Sequence, residues 1–165
     1  MIYLKKLNPK IHANKEYLGW MNSFEIHKYT EQKYKKHTIK DIKRFIVDKN
    51  KSKNEFLYGI FLKKKIHIGN IKLGPINFFH KLAEISLFIG NKTYTGKGYA
   101  SLAVKKIINI AKKKGIKKLN AGVYSINKES IKLFSKLKFK KEGILVKNII
   151  YNKKRYNSII FGKLI

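Results

Sequence analysis

Apolar and polar positions alternate along this chain in two periods, and the switches between them divide it into short strands and amphipathic helices. From Leu82 to Ile89, Ala83, Ile85, Leu87 and Ile89 stand against Glu84, Ser86 and Phe88, the period of two that predicts a strand. Ala100, Ala103, Val104, Ile107, Ile108 and Ala111 then recur at helical spacing, and Gly115 is placed to stop that helix. Leu119 to Tyr124 predicts another strand, followed by a short helix that begins at Asn127 and carries Ile131, Phe134 and Leu137.

The flanking segments read in the same way. Ile2 to Leu7 suits a strand broken by Asn8 and Pro9. Tyr17, Leu18, Trp20 and Met21 form the apolar side of a helix starting near Asn14, and the stretch from Asn22 to Tyr29 reads as a loop. Thr38 and Asp41 predict a capped helix that buries Ile39, Ile42, Phe45 and Ile46 and frays by Asn50. Glu55 to Leu62 and Ile66 to Leu73 predict a hairpin across Lys63, Lys64 and Lys65, its second strand ended by Gly74 and Pro75. Phe139 to Val146 and Arg155 to Leu164 predict two last strands across a turn from Tyr151 to Lys154.

At 165 residues and 44% hydrophobic, the chain fits one domain, 1–165, able to bury roughly 70% of its unfolded surface. Without cysteine it has no disulfide framework, thiolate nucleophile or cysteine-based zinc site. His27, His67 and His80 lack metal-ligand spacing, so no metal is expected. No apolar run reaches the length of a signal peptide or membrane span, which reads as a soluble, cytoplasmic protein with no membrane insertion. The net charge of +30 is carried almost wholly by lysine, with Arg44 and Arg155 the two arginines. Such a field attracts anions of every kind. The lysines are spread over all segments rather than clustered with arginine and aromatics, which argues against specific nucleic-acid readout.

The candidate chemistry centres on the turn between the Leu82 strand and the Ala100 helix. Gly96 and Gly98 lack Cβ atoms, so the backbone there can turn sharply and converge its N–H groups on phosphate oxygens at a helix start. Thr95, Gly96, Lys97, Gly98, Tyr99 and Ala100 are the predicted anion cradle. Glu84 is the one carboxylate between Glu55 and Glu129, and on a central strand it is a candidate proton relay, its pKa raised by partial burial.

The three stretches AEISLFIG, TYTGKGYA and NKESIKLFSKLKF, in that order, resemble the acetyl-CoA core of the GNAT N-acetyltransferase superfamily. Thr93 stands where that family has Gln or Arg, which removes a side chain from the cradle and leaves its backbone. The resemblance implies an α/β (α+β) GNAT fold, a mixed central sheet of about seven strands flanked by about four helices. It further implies acetyl-CoA held by the cradle, with pantetheine beside Phe88 and Ile89, a backbone N–H there as oxyanion donor, and Asn127 and Ser130 touching the coenzyme. The family's usual thiolate acid, a Tyr, is replaced by Phe134, and Tyr124 is the candidate substitute.

The chain is similar to the branch that includes ribosomal-protein N-terminal acetyltransferases, and within it to enzymes acting on amino sugars of bacterial surface polysaccharides. The acceptor implied is a primary amine on a nucleotide-linked amino sugar, with Trp20, Tyr29, Asn77, Phe78 and His80 as contacts. A protein N-terminus, or a non-catalytic basic RNA-binding module on the same fold, are the alternatives. A homodimer is left open.

Overall fold

The computed structural model describes residues 1–63 and 65–165. Among the described residues seven strands form one sheet: β1 (Ile2–Lys6), β2 (Phe56–Leu62), β3 (Ile66–Asn77), β4 (Leu82–Ile89), β5 (Lys118–Tyr124), β6 (Lys140–Tyr151) and β7 (Lys154–Leu164), in the spatial order β1-β2-β3-β4-β5-β7-β6. All neighbours are antiparallel except β4 and β5, whose parallel pairing requires a crossover. The six α-helices among the described residues are α1 (Pro9–His12), α2 (Lys15–Met21), α3 (Phe24–His27), α4 (Ile39–Lys51), α5 (Tyr99–Lys113) and α6 (Lys128–Lys136). The two beyond the expected four, α1 and α3, are single turns.

The helix on each face is dictated by its apolar stripe. Ala103, Val104, Ile107 and Ala111 of α5 and Phe134 of α6 pack with Ile60, Ile68, Ile71, Ala83, Ile85 and Leu119 on one face of the sheet. On the other, Tyr17 and Trp20 of α2 and Ile42 and Ile46 of α4 cover Leu57 and Phe61. The end signals act as read. Asn14 caps α2 through the Tyr17 N–H at 2.9 Å, Thr38 and Asp41 form a reciprocal capping box, and Asn127 caps α6 through the Ser130 N–H at 3.1 Å.

Two strand ends depart from expectation. Gly74 and Pro75 do not end β3: Gly74 takes a φ of 117°, the ladder shifts register between Leu73 and Ile76, and the strand resumes to Asn77 while the Ile76 N–H donates to the Asn54 carbonyl at 2.8 Å. β6 continues past Val146 to Tyr151 across another register shift between Leu145 and Ile149, so the two-residue turn is Asn152-Lys153, both with positive φ. The Lys63 to Lys65 turn includes Lys64, which lies outside the described residues.

Candidate active site

The crossover between β4 and β5 creates the cleft. Among the described residues the two strands pair over three positions, Leu82 with Lys118, Ala83 with Leu119 and Glu84 with Asn120, and then diverge. On its other side β4 stays paired with β3 through Phe88 and Ile89, so from Ile85 onward one edge of a central strand is open. Strand geometry says which backbone groups face that opening. The Gly90 N–H donates to the Ile68 carbonyl at 2.8 Å, which by alternation turns the N–H of Phe88 toward β3 and those of Leu87 and Ile89 toward the cleft. Of the two expected donors, Phe88 and Ile89, it is Ile89 whose N–H faces the opening. The Phe88 ring packs the opposite way, against Trp20 at 6.4 Å and His27 at 5.0 Å between centroids.

At the end of β4 the chain makes a 3-10 turn, Lys92–Tyr94, and enters the predicted loop. Thr95 is anchored by its hydroxyl, which donates to the Lys92 carbonyl at 2.8 Å. Gly96 and Gly98 have φ of 71° and 79°, a region that costs an L-residue roughly 1 kcal/mol or more, and an added Cβ at either would enter open space. Gly98 is the N-cap of α5 and offers no side chain, so the N–H groups of Tyr99, Ala100 and Ser101, which precede the first helical bond from Leu102 to Gly98, have no side-chain cap. Lys97 lies on this loop with its ammonium 5.9 Å from the Tyr94 ring. Exposed backbone donors, a helix dipole and a cradle that a Cβ would fill suit a pyrophosphate, and the open β4 edge beside it suits the amide-bearing arm of coenzyme A.

The other wall ends in Tyr124, the last residue of β5. Its hydroxyl donates to the Glu31 carboxylate, which ties a second 3-10 turn, Glu31–Tyr34, to the cleft mouth. Burial and then the Glu31 carboxylate push the phenol pKa up. That shift, and the engagement of its proton by Glu31, work against the thiolate-acid role expected of Tyr124, because a thiolate whose thiol has a pKa near 8.5 draws a proton less readily from a weaker acid. Lys33 places its ammonium 3.5 Å from the Tyr124 oxygen and 4.5, 4.8 and 5.7 Å from the ring centroids of Tyr34, Tyr124 and Tyr151. Phe134 is core, packed on Phe139 and Phe161 at 5.1 and 5.9 Å.

Other predicted site residues lie elsewhere. Glu84 is exposed rather than partly buried, because it stands on the face opposite Ala83 and Ile85, where α2 and α4 cover Leu57 and Phe61 instead. Trp20 is 7% exposed and lies against Gly90, a core residue beneath the strand end instead of an acceptor contact. Asn77, Phe78 and His80 form the β3–β4 turn, where the Asn77 side chain accepts from the His80 N–H at 2.9 Å. That turn is at the closed end of the cleft, about 23 Å along β4 from Ile89 at strand rise, so these three are not gathered with the loop. Tyr29 does stand at the mouth, its ring 5.5 Å from Tyr151. Asn127 and Ser130 begin α6 just after β5.

Sequence reading missed Glu31, Lys33, Tyr34 and Tyr151 as site residues. The signal available was a cluster of aromatics and charges between Tyr29 and Lys36 without apolar periodicity. His27 and His67 are both buried, which lowers each imidazole to about pH 4 and keeps it neutral, with His37 adding to the effect at His27. His67 also holds the Asn70 side chain at 2.8 Å.

Comparison with known proteins agrees with this geometry. Residues 2–140 match the model of the acetyltransferase (GNAT) domain. A Bacillus subtilis (strain 168) protein, YwnH, whose name assigns it provisionally to phosphinothricin acetylation, is 34% identical over 85 residues, 52% of this chain and 52% of its own. Thus the match spans about half of that relative. Among solved structures, the microcin C7 self-immunity acetyltransferase MccE in complex with acetyl-CoA and AMP superposes with a TM-score of 0.85 at 24% identity over 99% of this chain and 92% of its own. Spermidine N-acetyltransferase from Vibrio cholerae, in complex with CoA and spermine, gives 0.86 at 19% over 99% and 95%. The diverging β4 and β5, the glycine loop that opens α5 and the family match over most of its length mean that this chain belongs to the GNAT acetyltransferase domain family.

Proposed function

We propose that the protein transfers the acetyl group of acetyl-CoA to a primary amine, and that the amine belongs to a nucleotide-linked amino sugar used in surface polysaccharide synthesis. The observation that carries the first part is the open β4 edge running into the Gly96–Gly98 cradle. Bound acetyl-CoA supplies an activated thioester. The chain supplies the uncapped N–H groups of Tyr99, Ala100 and Ser101 for phosphate and cleft-facing N–H groups at Leu87 and Ile89 for the carbonyl oxygen as it gains charge. The nucleophile must arrive as free amine, a state the positive field of the +30 chain favours by lowering the pKa of a bound ammonium, and as the new C–N bond forms the C–S bond breaks and the proton lost by the amine leaves with the coenzyme as its thiol.

Charge also bears on the acceptor. A polycation such as spermidine is repelled by this surface, whereas an amine carried on a diphosphate is attracted to it. The mouth formed by Tyr29, Tyr34, Tyr124 and Tyr151 offers flat faces for sugar or base.

The test is a panel of amines with acetyl-CoA, set beside thermal stabilisation by acetyl-CoA alone. UDP- or TDP-linked 4-amino-4,6-dideoxyhexoses are expected to turn over, with Ala- and Ser-starting peptides and spermidine as comparators. Turnover of peptides alone rejects the sugar. Salt-sensitive RNA binding with no response to acetyl-CoA rejects the enzyme.

A further inference from the structure

A depression of about 230 Å³ opens beside the cleft mouth, between the Glu31–Tyr34 turn and the tip of the β6–β7 hairpin, lined by Phe24, Lys33, Tyr34, Tyr151, Asn152 and Lys153. We propose that it is the acceptor's anionic subsite, taking the diphosphate and one flat ring of a nucleoside diphosphate while the attached amine reaches past Tyr124 toward the open edge of β4. This rests on the acetyl-transfer reading above and names the part of the acceptor that the protein grips.

Three features of the depression point to that chemistry. Its apolar walls are unusually bare: Phe24 is 54% exposed and Tyr34 64%, and Ile150 beside them is 48% exposed. Flat exposed aromatics gain by stacking on a planar ring. Its two ammonium groups come from opposite walls, Lys33 from the 3-10 turn and Lys153 from the hairpin tip. Lys33 is positioned by three tyrosine rings and a phenol oxygen, and the nearby Glu31 carboxylate is engaged by the Tyr124 hydroxyl, which leaves the ammonium facing an anion in the depression. Lys153 sits at φ 61° in the two-residue turn and lines the depression. The tip is docked by the Tyr34 hydroxyl, which donates to the Ile150 carbonyl at 3.0 Å.

A whole drug-sized ligand needs roughly 300 Å³ or more, so the depression accommodates a ring with its phosphates and leaves the sugar outside. Lys33 is the link between the two, since its ammonium touches both the depression and the Tyr124 oxygen at the end of β5. An acceptor anchored there presents its far end at the cleft mouth.

The test uses UDP as probe, by calorimetry on the intact protein in about 150 mM salt, which screens the diffuse field to within about 8 Å. UDP is expected to bind, and Lys33→Met and Lys153→Gly each to weaken it about tenfold, which is about 1.4 kcal/mol. Lys153→Gly keeps the positive φ available while removing the charge. Lys43→Gln, on the exposed face of α4, is the charge-matched control and is expected to leave UDP affinity unchanged. UDP affinity untouched by both variants, or lowered equally by Lys43→Gln, overturns the subsite. Because UDP binding is read without acetyl-CoA, the result is separable from the reaction: absence of acetyl transfer to any amine, with UDP binding that depends on Lys33 and Lys153, rejects the activity and keeps the pocket.

Discussion

The two walls of the cleft are built by different means. The β4 wall and its glycine loop present backbone: N–H groups at Leu87, Ile89 and the start of α5, exposed because a strand lost its neighbour and a helix has no side-chain cap. The β5 wall presents side chains: Tyr124, Glu31, Lys33, Tyr34 and Tyr151, drawn from three separate segments. A backbone-made site tolerates most side-chain exchange and fails when a Cβ intrudes. A side-chain-made site is changed piece by piece, and its losses fall on one ligand at a time. The coenzyme wall is accordingly expected to be uniform across acceptors, and the mouth to set the choice among them.

Substitutions can break that comparison. Gly98→Val puts a branched side chain into the cradle at a φ of 79°, and acetyl-CoA affinity is expected to fall at least about a hundredfold, about 2.7 kcal/mol, by calorimetry. Unchanged affinity removes the phosphate from this loop. Next in size is the acid limb of stability. His27 and His67 sit near pH 4 in the fold and near 6.5 when unfolded, so the unfolded chain binds more protons in that window. Stability is full above about pH 6.5 and falls as pH drops toward 4, by a few kcal/mol for the pair, with His27 and His67 among the groups responsible. The melting temperature followed from pH 7 to 4.5 checks this, and a flat profile refutes it.

Smaller effects sharpen the contrast. Tyr124→Phe removes the hydroxyl that holds Glu31, at a cost of about 1 kcal/mol, and should raise the acceptor KM several-fold while acetyl-CoA affinity stays as it was. Equal loss for both ligands would merge the two walls into one site. Glu84→Gln is expected to do least, within about twofold in kcat and with no shift of the pH–rate profile, since the carboxylate is exposed at the closed end of the cleft. A kcat restored only at high pH would return the proton relay to Glu84.

How far the site could be read in advance follows the same division. Gly96, Gly98 and the apolar stripe from Ala103 to Ala111 were legible because each acts through its own backbone and a local period. The strand at Leu82 to Ile89 was legible to the residue. Trp20 was misassigned to the acceptor because an aromatic near a helix start reads the same whether it lines a cleft or fills a core, and only its position against Gly90 separates the two. Asn77, Phe78 and His80 were misassigned for a related reason, since a turn between strands carries no mark of which end of the cleft it occupies.

By itself, then, the sequence determined the order and type of the strands and of the longer helices, the caps at Asn14, Thr38 and Asn127, and the glycine loop, because these depend on interactions within a few residues of one another, whereas the single turns α1 and α3, the latter within the stretch read as a loop, escaped it. Only the tertiary structure decided that β4 and β5 part after Glu84, that Ile89 rather than Phe88 turns its N–H to the opening, and that Glu31, Lys33, Tyr34, Tyr124 and Tyr151 meet at one mouth. The meeting of side chains depends on where the β6–β7 hairpin tip comes to rest, held by the Tyr34 hydroxyl at the Ile150 carbonyl, and the parting of β4 and β5 on pairings between segments more than thirty residues apart. Those are long-range contacts, and no local pattern of apolar and polar residues encodes them.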